Sequence, residues 1–98
     1  MIKLNILDIQ NIYSDIIYIV GINGICFIFL VDHKLKYLKE SMKNVELVLK
    51  DKNFVRINYH IIINSKFYIR NHVKGKKEII MKNGIILKVS RRRWKDFK

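Results

Sequence analysis

The sequence has no proline, a single cysteine, and only three acidic residues after position 49. Because Cys26 has no partner, an intrachain disulfide is excluded, and a structural zinc site lacks the thiols that it needs. A lone thiol fits a reducing compartment, so we expect a cytoplasmic protein. Half of the residues are hydrophobic, which is not a disordered composition. The length predicts one domain, residues 1–98.

Charge of one sign is concentrated in one half of the chain. Residues 1–49 contain five lysines and five acidic residues, so they are neutral. Residues 50–98 contain fifteen basic and three acidic residues and carry the entire net charge of +12. AT-rich codon usage would raise lysine in both halves. The asymmetry therefore favours a polyanionic partner, whose phosphates release condensed counterions when cations bind.

Charge is also absent from residues 16–31, which read IIYIVGINGICFIFLV. A membrane-spanning helix needs about 20 apolar residues, and this run is shorter and is interrupted by glycine and asparagine. Dense isoleucine, valine and phenylalanine around such a break favour two buried strands, 16–20 and 25–31, joined by a turn. A membrane-linked interaction protein is the alternative that this run raises.

The rest of the first half is less clear. Residues 2–6 predict a weak strand, and the segment from Asp8 to Asp15 predicts a loose connection. Apolar residues at helical spacing favour one amphipathic helix over residues 35–49. The alternative is a strand through Glu40 and then a shorter helix capped by Ser41, whose hydroxyl can accept from free amides of the first turn.

The second half is predicted to form short strands at residues 54–57, 61–64, 67–70, 78–82 and 85–89. The last two are expected to pair as a hairpin around Asn83-Gly84, because Asn-Gly suits a turn in which both residues take positive φ. Ser90 can cap a final short turn.

No constellation for catalysis stands out. Asp32 precedes His33 in a predicted turn, with no second carboxylate placed to share a metal ion. The three histidines lack metal-ligand spacing, and there is no glycine-rich phosphate loop. Cys26 lies in an apolar strand, where a thiol is usually inert packing. We therefore predict no enzyme, no cofactor, no metal ion and no small-molecule substrate.

The densest positive charge lies near the C-terminus, at Arg91, Arg92 and Arg93. Guanidinium groups can bind guanine in the major groove of DNA or hold phosphates. Trp94 and Phe97 are spaced to pack on the preceding hairpin and to hold this turn. The alternative is a solvated basic tail.

A polar island, Asn58-Tyr59-His60, interrupts the apolar segments of residues 53–64. A loop held at both ends by buried strands can present side chains to base edges, and asparagine can bond adenine through two hydrogen bonds. The alternative is a plain turn that binds nothing.

The stretch FVRINYHIIIN, followed by NGIILKVSRRRWKDF, resembles the LytTR DNA-binding domain of bacterial response regulators. Upstream, the order of two strands, a third strand and a helix beginning SMKNVE is similar as well. The resemblance implies a mainly β, elongated domain of small antiparallel sheets with one or two short helices. It also implies that residues 34–39 are a strand.

The resemblance further implies that loops enter the major groove of promoter DNA, with two copies associating on direct repeats. Here Arg92 matches the base-reading arginine, and Asn58 and Tyr59 match the pair in the central loop. Asn23 and Gly24 occupy the first DNA-facing loop. The predicted DNA-binding set also includes Arg91, Arg93, His60 and Lys88.

This sequence departs from the family pattern at several positions. Asn58 replaces a histidine, His60 replaces a serine, and the first loop ends in the apolar Ile25. The base preference is therefore expected to differ. The receiver domain usual in the family is missing, so we expect a stand-alone regulator, and such versions can be controlled by a small membrane partner.

The sequence thus predicts a DNA-binding transcription regulator. The alternative is a small β module that binds RNA or the ribosome, with Tyr59, Phe67 and Tyr68 as stacking platforms.

Overall fold

Strands dominate residues 1–71 and 75–95, the part of the chain that the computed structural model describes. The strands are β1 (Ile2–Lys3), β2 (Ile16–Ile22), β3 (Ile25–Leu30), β4 (Leu35–Leu38), β5 (Phe54–Asn58), β6 (Ile61–Asn64), β7 (Tyr68–Asn71), β8 (Glu78–Met81) and β9 (Ile86–Lys88). The helices are α1 (Ile6–Ile12), α2 (Met42–Val48) and α3 (Arg91–Trp94). The mainly β class is confirmed, with three short helices in the described residues instead of one or two.

Six strands form one sheet in the order β1-β4-β3-β2-β6-β5, and a second sheet has the order β7-β8-β9. Neighbouring strands are antiparallel except β1 and β4, which are parallel. The chain measures 38 × 26 × 24 Å, which agrees with the elongated shape expected. None of the helices in the described ranges has the length and apolarity to span a membrane.

The uncharged run of residues 16–31 forms β2 and β3, as predicted. The turn between them is Asn23-Gly24, with φ of 51° and 79°. Positive φ at both central residues gives the mirror-image turn whose twist matches that of the flanking strands. This turn fixes the register in which Ile22 lies opposite Ile25.

Two hydrophobic cores explain why β2, β3 and β6 contain no charged residue. The first core includes Ile9 of α1 and Val45 of α2, together with Ile62 of the sheet. The second includes Ile63 and Ile79, and so joins the two sheets. Ile62 and Ile63 are adjacent and point to opposite faces of β6. Strands buried on both faces read as continuous apolar runs.

The N-terminal prediction was correct only for a short strand and wrong for the connection that follows it. The strand predicted over residues 2–6 is limited to Ile2–Lys3, and the expected loose connection contains α1. Asn5 begins this helix with a capping box: its Oδ1 accepts from the Asp8 amide at 3.0 Å, and its own amide donates to Asp8 Oδ2 at 2.9 Å. These bonds satisfy amides that a helix start leaves unpaired.

The single helix predicted over residues 35–49 was also wrong. Residues 35–38 form β4, as the family resemblance implied, and α2 begins after Ser41. The Ser41 hydroxyl accepts from the Asn44 amide at 3.1 Å, so the capping prediction is confirmed. β4 pairs with β3 on one side and β1 on the other, and this pairing outweighs the helical spacing of the leucines.

The C-terminal hairpin of β8 and β9 is confirmed, but its turn differs from the prediction. Gly84 takes a positive φ of 86°, whereas Asn83 does not. The Gly84 amide donates to the Met81 carbonyl at 2.8 Å, and the Met81 amide donates to the Ile85 carbonyl at 2.9 Å. These bonds enclose a three-residue loop that ends in a left-handed glycine, the next most common hairpin geometry.

The strands predicted at residues 54–57 and 61–64 are confirmed as β5 and β6. The strand predicted at residues 67–70 starts one residue later, after a short 3-10 turn at Ser65–Phe67. Asn64 controls this turn, because its Oδ1 accepts from the Lys66 amide at 3.0 Å.

Replacing Asn64 with alanine is expected to lower the free energy of unfolding by about 1–3 kcal/mol. Its buried Nδ2 donates to the Ile16 carbonyl at 2.9 Å, and the substitution removes this buried hydrogen bond. Chemical denaturation measures the loss. Asn83→Ala is the control at an exposed position, and an equal loss there would contradict a special role for Asn64.

Candidate nucleic-acid interface

The two predicted DNA-facing loops lie side by side at one end of the six-stranded sheet. β2 and β6 are antiparallel neighbours, so the Asn23-Gly24 turn and the Tyr59-His60 turn lie at the same end of the sheet. The Gly21 amide donates to the His60 carbonyl at 2.8 Å, and His60 Nδ1 lies 3.2 Å from the Gly21 carbonyl oxygen. Both loops line a groove of about 550 Å³.

The C-terminal arginines are brought to the same region because α3 docks on the end of β5. The Ser90 amide donates to the Ile57 carbonyl at 2.9 Å, and Arg93 Nη1 donates to the Arg56 carbonyl at 3.1 Å. Trp94 packs against the second core, so its predicted docking is confirmed. Phe97 lies outside the described residues. Residues 90–94 are therefore a docked turn and not a solvated tail.

The three arginines differ in accessibility. Arg91 and Arg92 are exposed, whereas Arg93 is half-buried and bonded to the β5 backbone. Arg92 borders a pocket of about 420 Å³, together with Arg56, Tyr59 and Ser90. Ser90 occupies the capping position of α3, but its side chain makes no capping hydrogen bond.

Asn58 connects the central loop to the C-terminal hairpin. Its Nδ2 donates to the Lys88 carbonyl at 2.7 Å, and its Oδ1 accepts from the His60 amide at 2.7 Å. Both ends of the amide are thus used within the protein. Base reading by Asn58 stays a prediction, and the geometry gives this residue a structural role. The side chain of Lys88 is exposed on the same hairpin.

Replacing Asn58 with alanine is expected to lower the free energy of unfolding by about 1–3 kcal/mol, because two short hydrogen bonds are lost. Thermal or urea denaturation measures the change. Lys88→Ala is the matched control, since it keeps the carbonyl that Asn58 bonds. Equal destabilisation by both substitutions would show that the connection does not depend on the Asn58 amide.

Tyr59 is the most exposed aromatic side chain of the described loops, with 78 % of its surface accessible. Its ring makes an edge contact with the His60 ring, at 5.0 Å between centroids. By contrast, Phe67 and Tyr68 are partly buried against the second core. Of the three aromatic side chains considered for stacking on RNA bases, only Tyr59 is mostly exposed to solvent.

Sequence reasoning missed Arg56, which borders both the groove between the two loops and the pocket beside Arg92. Its Nη2 donates to the Tyr59 carbonyl at 2.7 Å, and its Nη1 lies 3.3 Å from Glu46 Oε1. Its guanidinium carbon lies 5.6 Å from the centre of the Tyr59 ring. The available signal was a cation inside the apolar strand FVRIN, which is unusual unless the charge has partners.

Cys26 forms part of the wall of the groove. The thiol is buried and donates to the Glu40 carbonyl at 3.3 Å. Burial raises the pKa of the Cys26 thiol to about 11, and the Glu40 carboxylate acts in the same direction. The neutral thiol is the form present at neutral pH, which agrees with inert packing.

Fold and site together define a small β domain that brings two loops and an arginine-bearing turn to one region of its surface. The family model of the LytTr DNA-binding domain matches residues 6–98, and the chain belongs to this family. The family resemblance read from the sequence is therefore confirmed. Domains of this family bind DNA.

A solved structure has the same fold. It is the LytTr DNA-binding domain of a Bacillus cereus protein described as a methyl-accepting/DNA response regulator. The TM-score is 0.75 at 18 % sequence identity, and the match covers 87 % of this chain and 79 % of that chain. No curated protein matches the chain.

Proposed function

We propose that this protein is a sequence-specific transcription regulator that inserts loops into the major groove of promoter DNA. The observation that carries the proposal is the convergence of three segments: the Asn23-Gly24 turn, the loop of residues 58–60, and α3 with its arginines. Loops that project from a rigid sheet can enter a groove about 12 Å wide. The cytoplasm, where promoter DNA is accessible, is part of the proposal.

The residues of the site fall into two groups: those that are proposed to bind DNA and those that hold the site in place. Arg92 is exposed and borders the pocket formed with Arg56 and Tyr59, and it is proposed to read a base. Arg91 and Lys88 are also exposed and are proposed to bind phosphates, which set the register on the duplex. Arg93 belongs to the predicted DNA-binding set as well. Its bond to the β5 backbone supports a role in fixing α3.

The size of the domain suits binding of two copies on direct repeats. Half-sites one helical turn apart are separated by about 34–36 Å. The domain measures 38 × 26 × 24 Å, so neighbouring copies can occupy successive turns when the 38 Å axis lies across the duplex. Association of two copies on DNA is part of the proposal, as is control by a small membrane partner.

Competition between nucleic acids tests the proposal. A labelled duplex DNA that carries a selected binding sequence is bound at near-physiological salt, and unlabelled DNA and RNA of matched length are added. We expect specific duplex DNA to compete best. Stronger competition by single-stranded RNA would reject promoter binding and would favour the RNA-binding alternative, with Tyr59 as its stacking residue.

A further inference from the structure

We infer that Arg56 is a positioning residue, which holds the loop of residues 58–60 and α3 in the arrangement that discriminates between DNA sequences. This inference rests on the proposed function. In this inference exposed residues contact the bases, and the half-buried Arg56 side chain holds those residues in place.

The strand directs Arg56 away from the second core. Val55 and Ile57 pack against that core, so the side chain between them points to the opposite face, towards α2. There Nη1 meets Glu46 Oε1 at 3.3 Å, and Nη2 donates to the Tyr59 carbonyl at 2.7 Å. One planar group thus connects a helix of the core to the tip of the loop.

The main chain of the same residue is bonded to α3. The Arg56 carbonyl accepts from Arg93 Nη1 at 3.1 Å, and the adjacent Ile57 carbonyl accepts from the Ser90 amide at 2.9 Å. Position 56 is therefore joined to the loop through its side chain and to α3 through its backbone. A shift of this residue would move Tyr59 and the arginines of α3 relative to each other.

Burial argues against Arg56 as a direct phosphate contact. Its side chain is 15 % exposed, and its charge already has a carboxylate partner. Its Nε is buried without a hydrogen-bond partner among the described residues. An unpaired buried donor is unfavourable for stability, so stability alone does not account for an arginine here. Lysine has a single point charge and cannot reproduce the planar fork that reaches two acceptors.

The test uses Arg56→Lys and Arg56→Met, with Lys34→Met as the control. Lys34 is exposed near the β3–β4 turn, at the other end of β3 from Asn23-Gly24. Affinity for a selected duplex and for a scrambled duplex is measured across salt concentrations, together with the melting temperature. Both Arg56 variants are expected to lower the discrimination ratio about tenfold, comparable to the loss of one base contact.

The salt dependence separates positioning from contact. We expect the slope of log K against log[salt] to be the same in Arg56→Met and the wild type. A slope reduced by about one would show that Arg56 itself binds a phosphate. Full discrimination by Arg56→Lys would also overturn the inference, because charge without the fork would suffice. Lys34→Met is expected to keep the ratio.

A measurement without DNA distinguishes this inference from the proposed function. Backbone NMR relaxation is recorded for residues 58–60 in the free wild type and in Arg56→Lys. Increased motion of the Tyr59 amide in the variant is expected, and unchanged order there would reject the positioning role. Failure of the wild type to discriminate between any duplexes would reject the proposed function, whatever the relaxation data show.

Discussion

Replacing Arg92 with alanine is expected to weaken binding to the preferred duplex by about 1–3 kcal/mol, and to relax selectivity at one base pair. The side chain is exposed and borders the pocket that it shares with Arg56 and Tyr59. A guanidinium that bonds two acceptors of guanine loses both when it is truncated. Fluorescence anisotropy with the preferred duplex and its single-base variants measures the effect.

Arg91→Ala is the matched control, because it removes the same charge from the neighbouring exposed position. It is expected to weaken binding to all duplexes equally and to reduce the salt slope by about one. If Arg92→Ala instead caused equal losses on preferred and random DNA, Arg92 would be a phosphate contact, and base reading would have to be assigned elsewhere.

Replacing Ile19 with alanine is expected to lower the free energy of unfolding by about 2–5 kcal/mol. Ile19 is fully buried in the first core and lies between Ile28 and Ile62 on the neighbouring strands. The substitution opens a cavity at the centre of the sheet. Domains have a total stability of only about 5–15 kcal/mol, so a large part of it is lost. Urea denaturation followed by circular dichroism measures the change.

Ile22→Ala is the control in the same strand, because half of the Ile22 side chain is exposed. We expect a change within about 0.5 kcal/mol. A loss there as large as at Ile19 would mean that the sheet is buried differently from the two-core arrangement described above.

Elements with strong local chemistry were predictable from the sequence. The charge-free run around Asn23-Gly24 predicted both strands of the first hairpin, because a short apolar run broken by asparagine and glycine is typical of two buried strands joined by a turn. A start of α2 at Ser41, the alternative to the single long helix, was indicated by its capping hydroxyl. In each case the signal is a local bond or a local conformation, which needs no tertiary information.

The failures have equally specific causes. α1 is short, and its start depends on a capping pair that the sequence prediction missed, with Asn5 just before the ILDIQNI segment and Asp8 within it. The leucines of β4 fall at helical spacing, yet β4 lies between β1 and β3, and strand pairing decides its conformation. At Asn83, the loop closed with three residues where two were expected, a choice that the Asn-Gly pair does not settle.

The candidate site was predicted as separate segments, not as one surface. β6 pairs with β2 although many residues separate the two strands in the sequence, and this pairing brings the two loops together. The role of Arg56 depends on which face of β5 meets α2, and Asn58 reaches a carbonyl thirty residues away. Such contacts follow from sheet order, which local patterns do not specify.

Selection of bound duplexes from a random pool, at near-physiological salt, tests the central claim most directly. Low salt would exaggerate attraction to any polyanion. We expect the wild-type protein to enrich a short sequence repeated in direct orientation about one helical turn apart, and Arg92→Ala to lose enrichment at one base of each repeat. Recovery of duplexes with no common sequence would contradict the claim that this surface reads DNA.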